Sequence, residues 1–500
     1  METLKVIDIG INTHQEPVIY MRSDCLVCRA EGFVASTRVS VNHNGNTTIA
    51  TLNVVDDSVL AHGEAGLSKV ALSRLDVAPG QTIRVTHAPV VRSVASVRKK
   101  TFGHKLSGDE LAAIIEDINA HRYSDIEIAS FLSVCAGNRL DIDEIIGLTN
   151  AMVACGQVLS WPGHDMVLDK HCIGGLPGNR TTPLVVSVVS AAGFLMPKTS
   201  SRAITSPAGT ADTMETLMDV DLALPAIRRV VAHAGACLAW GGAVNLSPAD
   251  DLLIRIERAL DLDGEGQMVA SVLSKKIAAG ATHAIVDIPV GETAKTRTLK
   301  DAERLSSLFT QVGAECGIHI LCVISDGLQP VGRGIGPAEE ARDVLAVLRN
   351  ETDAPQDLRE RALFLSAKLL MLARNCALET AHEEARTLLD NGSAWQQFQR
   401  IATAQGGLKT LPEARFQHEE YAGKRGIIAR IDNRQLSRLA KLAGAPFSPA
   451  AGLRLHVQLG SQVEPTSPLF TLFADSGGER DYALDYYRHQ AAIFSIEESL

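Results

Sequence analysis

The sequence predicts an α/β protein: a helical lobe hinged to an α/β lobe with a mostly parallel sheet, with a small N-terminal β-barrel and a C-terminal β-rich cap. Three observations predict it. Between residues 164 and 349, short apolar, β-branched runs alternate with stretches of helical spacing, the pattern of strand–helix units that build a parallel sheet. Residues 105–160 show helical spacing alone. Both ends of the chain carry short β-branched runs divided by turn residues. Five hundred residues exceed a single core, so several domains are expected. The predicted divisions are 1–86 for the β domain, 100–162 with 248–280 for the helical lobe, 164–245 with 284–406 for the α/β lobe, and 407–500 for the cap.

In the first division, the runs Leu4-Lys-Val-Ile-Asp-Ile, Pro17-Val-Ile-Tyr-Met, Arg38-Val-Ser-Val, Thr47 to Val55 and Thr82-Ile-Arg-Val-Thr predict strands, with Asn42-His-Asn-Gly-Asn46 as a turn. Cys25-x-x-Cys28 has no second pair beside it and reads as part of a strand. Ser107-Gly-Asp-Glu110 predicts a capping box, followed by Leu111, Ile114, Ile115 and Ile118 on one face. Ser124 opens a second helix and Asp141 to Val153 makes a third.

The organising stretch is Asp169-Lys-His-Cys-Ile-Gly-Gly-Leu-Pro-Gly-Asn-Arg-Thr-Thr-Pro183. It follows the buried run Met166-Val-Leu168 and precedes the helical spacing of Leu184, Val185, Val188, Val189 and Ala192, with Thr182 read as N-cap and Pro183 as first helical residue. A strand, a glycine loop with a lysine and a helix start make an anion cradle, because free N–H groups and the helix dipole both favour negative charge. Lys198-Thr-Ser-Ser-Arg-Ala-Ile-Thr-Ser-Pro-Ala-Gly-Thr-Ala-Asp212 repeats the idea, with a helix capped near Asp212. Neither stretch is a phosphate-loop or dinucleotide fingerprint.

Further on, Leu224 to Trp240 reads as one helix ended by Gly241-Gly242, and 248–280 as helical again, placing Ser271 and Lys275 one turn apart. Ala284-Ile-Val-Asp-Ile-Pro-Val and His319 to Asp326 read as buried strands around a helix from Leu299 to Cys316, and Leu358 to Leu389 as helical. Ligands of such sheets sit at the carboxyl ends of the strands, where Asp169, Lys170, Lys295 and Asp326 fall.

A net charge of −10 argues against a nucleic-acid binder. No apolar run is long enough to span a membrane, and Met1 to Gly10 lacks the order of a signal peptide. Nine scattered cysteines read as a reducing, cytoplasmic setting.

Asp169-Lys-His-Cys-Ile-Gly-Gly175 resembles the Asp-Lys-His-Ser-x-Gly-Gly signature of thymidine and pyrimidine-nucleoside phosphorylases, and Ser325-Asp-Gly-Leu-Gln-Pro-Val-Gly-Arg-Gly-Ile-Gly336 is similar to a second stretch of that family. The N-terminal β domain, Ile173 to Arg180 and Ser201 to Ser206 resemble its longer branch, which includes AMP phosphorylases. The resemblance implies phosphorolysis: a nucleoside or nucleotide plus orthophosphate gives a sugar 1-phosphate and free base, with orthophosphate a co-substrate and no cofactor. It implies Lys170, Thr181, Ser200 and Thr210 as phosphate ligands, with Cys172 where many members carry serine. It implies His171 beside the base, Asp263 as proton donor, and Gly175, Ser201, Arg202, Ala203, Ile204, Thr205, Ser206, Ser271, Lys275 and Lys295 as substrate contacts. An imidazole near neutrality suits His171 to acid–base duty. Around Arg255-Ile-Glu-Arg258 nothing matches, without a gap, the arginine that grips the pyrimidine in nucleoside enzymes, which weakens a strict thymidine assignment, while the motif wording leans toward a nucleotide substrate. The family also implies a homodimer or larger homo-oligomer. Two readings of other kinds stand beside this one: a nucleotide-binding protein without catalysis, and a related phosphoribosyltransferase.

Overall fold

The computed structural model describes residues 3–13, 16–203, 206–244, 246–262, 264–489 and 493–498. The chain divides into two compact units: Met1–Arg139 with Leu252–Leu262, and Leu140–Asp251 with Asp263–Leu500.

In the first unit, β1 (Leu4–Asp8), β2 (Val18–Arg22), β3 (Arg38–His43), β4 (Asn46–Val55), β5 (Glu64–Leu67) and β6 (Thr82–His87) close a barrel in the order β1-β5-β2-β4-β3-β6. Alternate residues such as Val6, Ile19, Met21, Val39, Val41 and Leu52 fill its interior. The turn falls where the sequence places it: His43 pairs with Asn46 across Asn44 and Gly45, both at positive φ. The division is not all β, however. Two short helices, α1 (Leu26–Glu31) and α2 (Lys69–Leu75), interrupt it. Cys25 caps α1, its Sγ accepting from Cys28 N at 3.2 Å, so the Cys25–Cys28 segment is a helix start and not a strand. Three helices follow: α3 (Val94–Thr101), α4 (Gly108–Asn119) and α5 (Asp125–Cys135). Ser107 with Glu110 and Ser124 with Glu127 form full capping boxes at α4 and α5.

The second unit opens with α6 (Ile142–Ala154), capped by Asp141 and Glu144. Its parallel sheet is built from β7 (Leu168–Cys172), β8 (Met196–Ser200), β9 (Ala236–Trp240), β10 (His283–Val290) and β11 (His319–Asp326). Ladders join β11-β10-β7 and β8-β9, and a parallel bridge from Val167 to Leu195 ties the two together. Between them run α7 (Thr181–Ala191), α8 (Thr210–Glu215), α9 (Leu224–Ala234), α10 (Pro248–Leu260, through which the boundary between units passes), α11 (Glu265–Ala278) and α12 (Leu299–Glu315).

Several sequence-based boundaries move. The segment Leu224–Trp240 is not one helix: Gly235, at φ +71°, ends α9, and Ala236–Trp240 is a buried strand. The α7 helix begins at Thr181 with Arg180 as N-cap, two residues before the expected start. Gly209, not Asp212, is the N-cap of α8; Asp212 lies three residues in and accepts from Gly209 N at 2.8 Å. The Leu358–Leu389 stretch is two helices, α14 (Gln356–Arg374) and α15 (Leu378–Asp390), separated at Asn375, φ +50°.

The short β12 (Gly334–Ile335) precedes α13 (Pro337–Leu348), and α16 (Ser393–Ala404) follows α15. Residues 181–190 of α7 are all buried, which explains their near-continuous apolar run. They pack in one core with Met196, Leu238, Ile285 and apolar residues of α13, α14 and α16. The C-terminal segment adds β13 (Phe416–Tyr421), β14 (Gly426–Ile431), α17 (Asn433–Leu442), β15 (Gly452–Leu455), β16 (Gln462–Val463), β17 (Pro468–Ala474), α18 (Gly477–His489) and β18 (Phe494–Glu497). Its strand β15 pairs with β12, so this segment grows from the α/β layer.

Candidate functional site

The predicted residues of the second unit gather at the carboxyl ends of β7 and β8 and on α11. Alternation along β7 sends Asp169 and His171 to one side and Lys170 and Cys172 to the other.

On the first side, Asp169 is 1% exposed and receives two buried lysines: Lys198 at 3.0 Å on Oδ1 and Lys276 at 2.8 Å on Oδ2. Burial pushes the Asp169 carboxyl up, but the two cations outweigh it and hold it below the ordinary value. Burial brings Lys276 down to about 7, against the pull of Asp169. Burial, followed by the charges of Lys276, Lys198, Lys170 and Lys275, drives His171 well below its ordinary value. The expected near-neutral imidazole is therefore corrected: His171 is a neutral ring at neutral pH, able to donate or accept a hydrogen bond but poor as a resting acid. Nearby on α11, Ser271 donates to Asp250 Oδ2 at 2.9 Å and Lys275 reaches the same oxygen at 2.6 Å.

On the second side, Lys170 is 1% exposed and donates to Thr181 Oγ1 at 2.8 Å. Thr182 Oγ1 lies at 3.5 Å. Among the described residues no carboxylate lies within ion-pair distance of Lys170 Nζ. Burial accordingly lowers its pKa. A buried ammonium whose protein partners are hydroxyl oxygens is short of negative charge. Asn179 Nδ2 donates to Cys172 Sγ at 3.4 Å, and burial raises the thiol to about 11.

The glycines of the loop have physical duties. Gly175 has φ +90°, and a Cβ there would stand 2.2 Å from Lys295 N. At Gly209 a Cβ would meet Ser201 O at 2.5 Å, so the second loop folds against its own helix start. Within that loop Ala203 N donates to Asp212 Oδ2 at 2.6 Å and Ser206 Oγ to Ala208 O at 2.9 Å. Ser201 is exposed, and Ser200 Oγ donates to Ala239 O at 3.4 Å. Arg202 stacks over Trp240 at 4.8 Å and pairs with Glu215 and Asp212, so its charge is already compensated. Asp263, Ile204 and Thr205 lie outside the described residues. Arg255 belongs to the first unit and binds Asp125 through both Nη atoms, at 2.8 and 2.6 Å.

Sequence reasoning missed Arg180 and Glu340. Arg180 Nη1 donates to Thr210 Oγ1 at 2.8 Å, Nη2 to Ala208 O at 3.0 Å and Nε to Glu340 Oε2 at 2.6 Å. Burial raises Glu340 to about 7 despite Arg180. Arg180 lay inside the quoted stretch; its charge beside two threonines was the available signal. Thr181 and Thr210 thus each accept from a cation, which leaves their hydroxyl protons to donate. With the start of α7, this set can seat a small oxyanion.

The helical bundle domain of a glycosyl transferase family matches residues 95–156, and the a/b domain of that family matches residues 164–395. A protein of Acidovorax sp. (strain JS42) called "Putative thymidine phosphorylase 2" is 53% identical over 98% of this chain and 96% of its own length. The "Putative thymidine phosphorylase" of Hahella chejuensis is 51% identical over 98% of this chain and 97% of its own. In fold, the crystal structure of anthranilate phosphoribosyltransferase from Thermus thermophilus is similar, with a TM-score of 0.53 at 18% identity, over 62% of this chain and 99% of that one. The architecture is thus a mixed α/β one with helical bundle and α/β domains, and near-full-length identity to those relatives goes with the signature at Asp169–Gly175: the chain is an enzyme of the thymidine and pyrimidine-nucleoside phosphorylase family of glycosyl transferases.

Proposed function

We propose that the protein cleaves an N-glycosidic bond with orthophosphate, taking a nucleoside 5′-monophosphate of the AMP type or a thymidine-type pyrimidine nucleoside. The observation that carries the proposal is Lys170, a buried ammonium hydrogen-bonded to threonine hydroxyls with no carboxylate within ion-pair distance among the described residues. In this scheme phosphate lies against Lys170, Thr181, Ser200 and Thr210. One of its oxygens attacks the anomeric carbon. The C–N bond breaks, its electron pair passes to the base nitrogen, and a proton from Asp263 neutralises the base. Neutral His171 offers a ring N–H or lone pair beside the departing base, and the Ser271–Asp250–Lys275 group orients it. Such a proton transfer is worth ~10²–10⁴-fold.

A helical lobe closing on the α/β lobe would exclude the water that competes with phosphate for the sugar cation. The scheme uses orthophosphate as co-substrate and no cofactor, in a cytoplasmic homodimer or larger homo-oligomer. The names of the relatives favour thymidine, and the wording of Ser201–Ser206 favours the nucleotide. Incubation with AMP and with thymidine, each beside labelled phosphate, decides between them. The expected product is label esterified to the sugar; turnover of thymidine alone removes the nucleotide reading, and no esterified label from either removes phosphorolysis.

A further inference from the structure

The geometry points to Arg180, gripped by Glu340, as the positioning residue that holds the two oxyanion loops together as one cradle. This rests on the phosphorolysis reading above and goes further, since it assigns the coupling between loops that are separate in sequence.

Arg180 acts at both ends. Its backbone is the N-cap of α7, so it sets where Thr181 begins the helix and meets Lys170. Its guanidinium spans to the second loop, holding the Thr210 hydroxyl and the Ala208 carbonyl on separate nitrogens. A planar fork can do this and a single ammonium cannot. The fork is aimed by Glu340 of α13, 1% exposed, whose Oε2 accepts from Arg180 Nε at 2.6 Å and Thr213 Oγ1 at 3.2 Å. Its Oε1 accepts from Gly336 N at 3.2 Å. Arg180 is the charged group that faces Glu340. Thr213 of α8 and Gly336 before α13 are neutral donors, and Arg454 of β15 is taken up by neighbouring Glu339. Neither Arg180 nor Glu340 needs to touch phosphate for this: moving the fork displaces Thr181 and Thr210 together.

The carboxyl of Glu340, raised to about 7, supplies a readout that a passive packing role does not move. Above that value it is ionised and the grip on Arg180 is complete; as pH falls through it, the grip weakens.

The test is calorimetric titration of the full-length protein with inorganic phosphate at pH 8 and pH 6, and again with sulfate, which carries no proton in this range. Wild type, Arg180→Lys and Glu340→Gln are compared. Arg180→Lys is expected to weaken phosphate about tenfold or more at pH 8, with a matching rise in the KM for phosphate and a smaller change in kcat. Wild type is expected to lose sulfate affinity several-fold from pH 8 to pH 6, and Glu340→Gln to lose little. Equal pH dependence in wild type and Glu340→Gln, or phosphate affinity unchanged in Arg180→Lys, overturns the inference. If either variant fails to fold, the wild-type sulfate profile decides alone, a flat profile overturning it. Wild type that binds neither anion defeats the phosphorolysis reading itself, whereas wild type that binds phosphate beside silent variants defeats only the Arg180–Glu340 assignment.

Discussion

Lys276 Nζ stands 2.8 Å from Asp169 Oδ2, with both side chains at most 5% exposed. Lys198 holds the other oxygen. Asp169→Asn would leave buried Lys198 and Lys276 facing a neutral amide, and Lys276, at about 7 even beside the carboxylate, would shed its proton. The expected loss is roughly 3–5 kcal/mol, since breaking a buried pair strands the remaining charge. Urea unfolding checks it; an unchanged midpoint would show that the triad contributes nothing.

Lys170 predicts the opposite sign. Lys170→Met removes a desolvated charge that no carboxylate among the described residues meets at ion-pair distance, Asp287 attracting it only from farther off, at the cost of two hydroxyls losing a donor. Stability is expected to stay level or rise by about 1 kcal/mol. Phosphate affinity is expected to fall by about 100-fold or more, the loss of a charge-assisted contact in a dry site. A thermal melt beside a phosphate titration separates the two effects. A large drop in melting temperature would mean that the ammonium holds the fold rather than a ligand.

Cys172 carries a protonated thiol at neutral pH, because burial lifts it to about 11. A thiol is a weak donor. Cys172→Ser places a hydroxyl on the same strand position and is expected to tighten phosphate by up to about fivefold, or ~1 kcal/mol. Weaker binding would mean that the sulfur does not face the anion.

His121 gives the pH dependence of the first unit. Burial, with Arg74, Arg255 and Arg38 around it, lowers its pKa to about 4. The folded protein thus binds no proton there while the unfolded chain takes one up below about 6.5. Its contribution is complete above about 6.5 and is lost progressively as pH falls from there towards 4. Residue 121 sits at φ +56°, so Asn is the fitting replacement. His121→Asn should show a smaller fall in melting temperature between pH 7.5 and pH 5 than wild type.

Local chemistry made much of the fold legible. The capping box at Ser107, the helix start at Ser124, the turn at Asn44-Gly45 and the strand from His319 to Asp326 each follow from a few adjacent residues, although that strand is not buried as expected: only Ile320 and Val323 are. The strand Ala236–Trp240 did not, because its small apolar residues continue the spacing of α9 and only Gly235 marks the break. At the candidate site, Lys170 and the two threonine-bearing loops could be found from the sequence. The partners that orient them could not. Arg180 and Glu340 lie 160 positions apart, and Asp250 meets Ser271 and Lys275 only because α10 and α11 converge there. No short-range pattern encodes such pairs.

Strand β7 carries a further consequence. It is locked in step with β10, Lys170 opposite Ile285 and Cys172 opposite Asp287. Odd and even positions therefore work as two separate instruments sharing one rail. Removing a single residue upstream, at Met166 for instance, would preserve hydrophobicity and length almost intact, yet turn the rail half a cycle: the imidazole would arrive where the ammonium belongs, and the ammonium where two others already wait. Tolerance to insertion or deletion at this spot should be close to nil, even though neighbouring substitutions are mild.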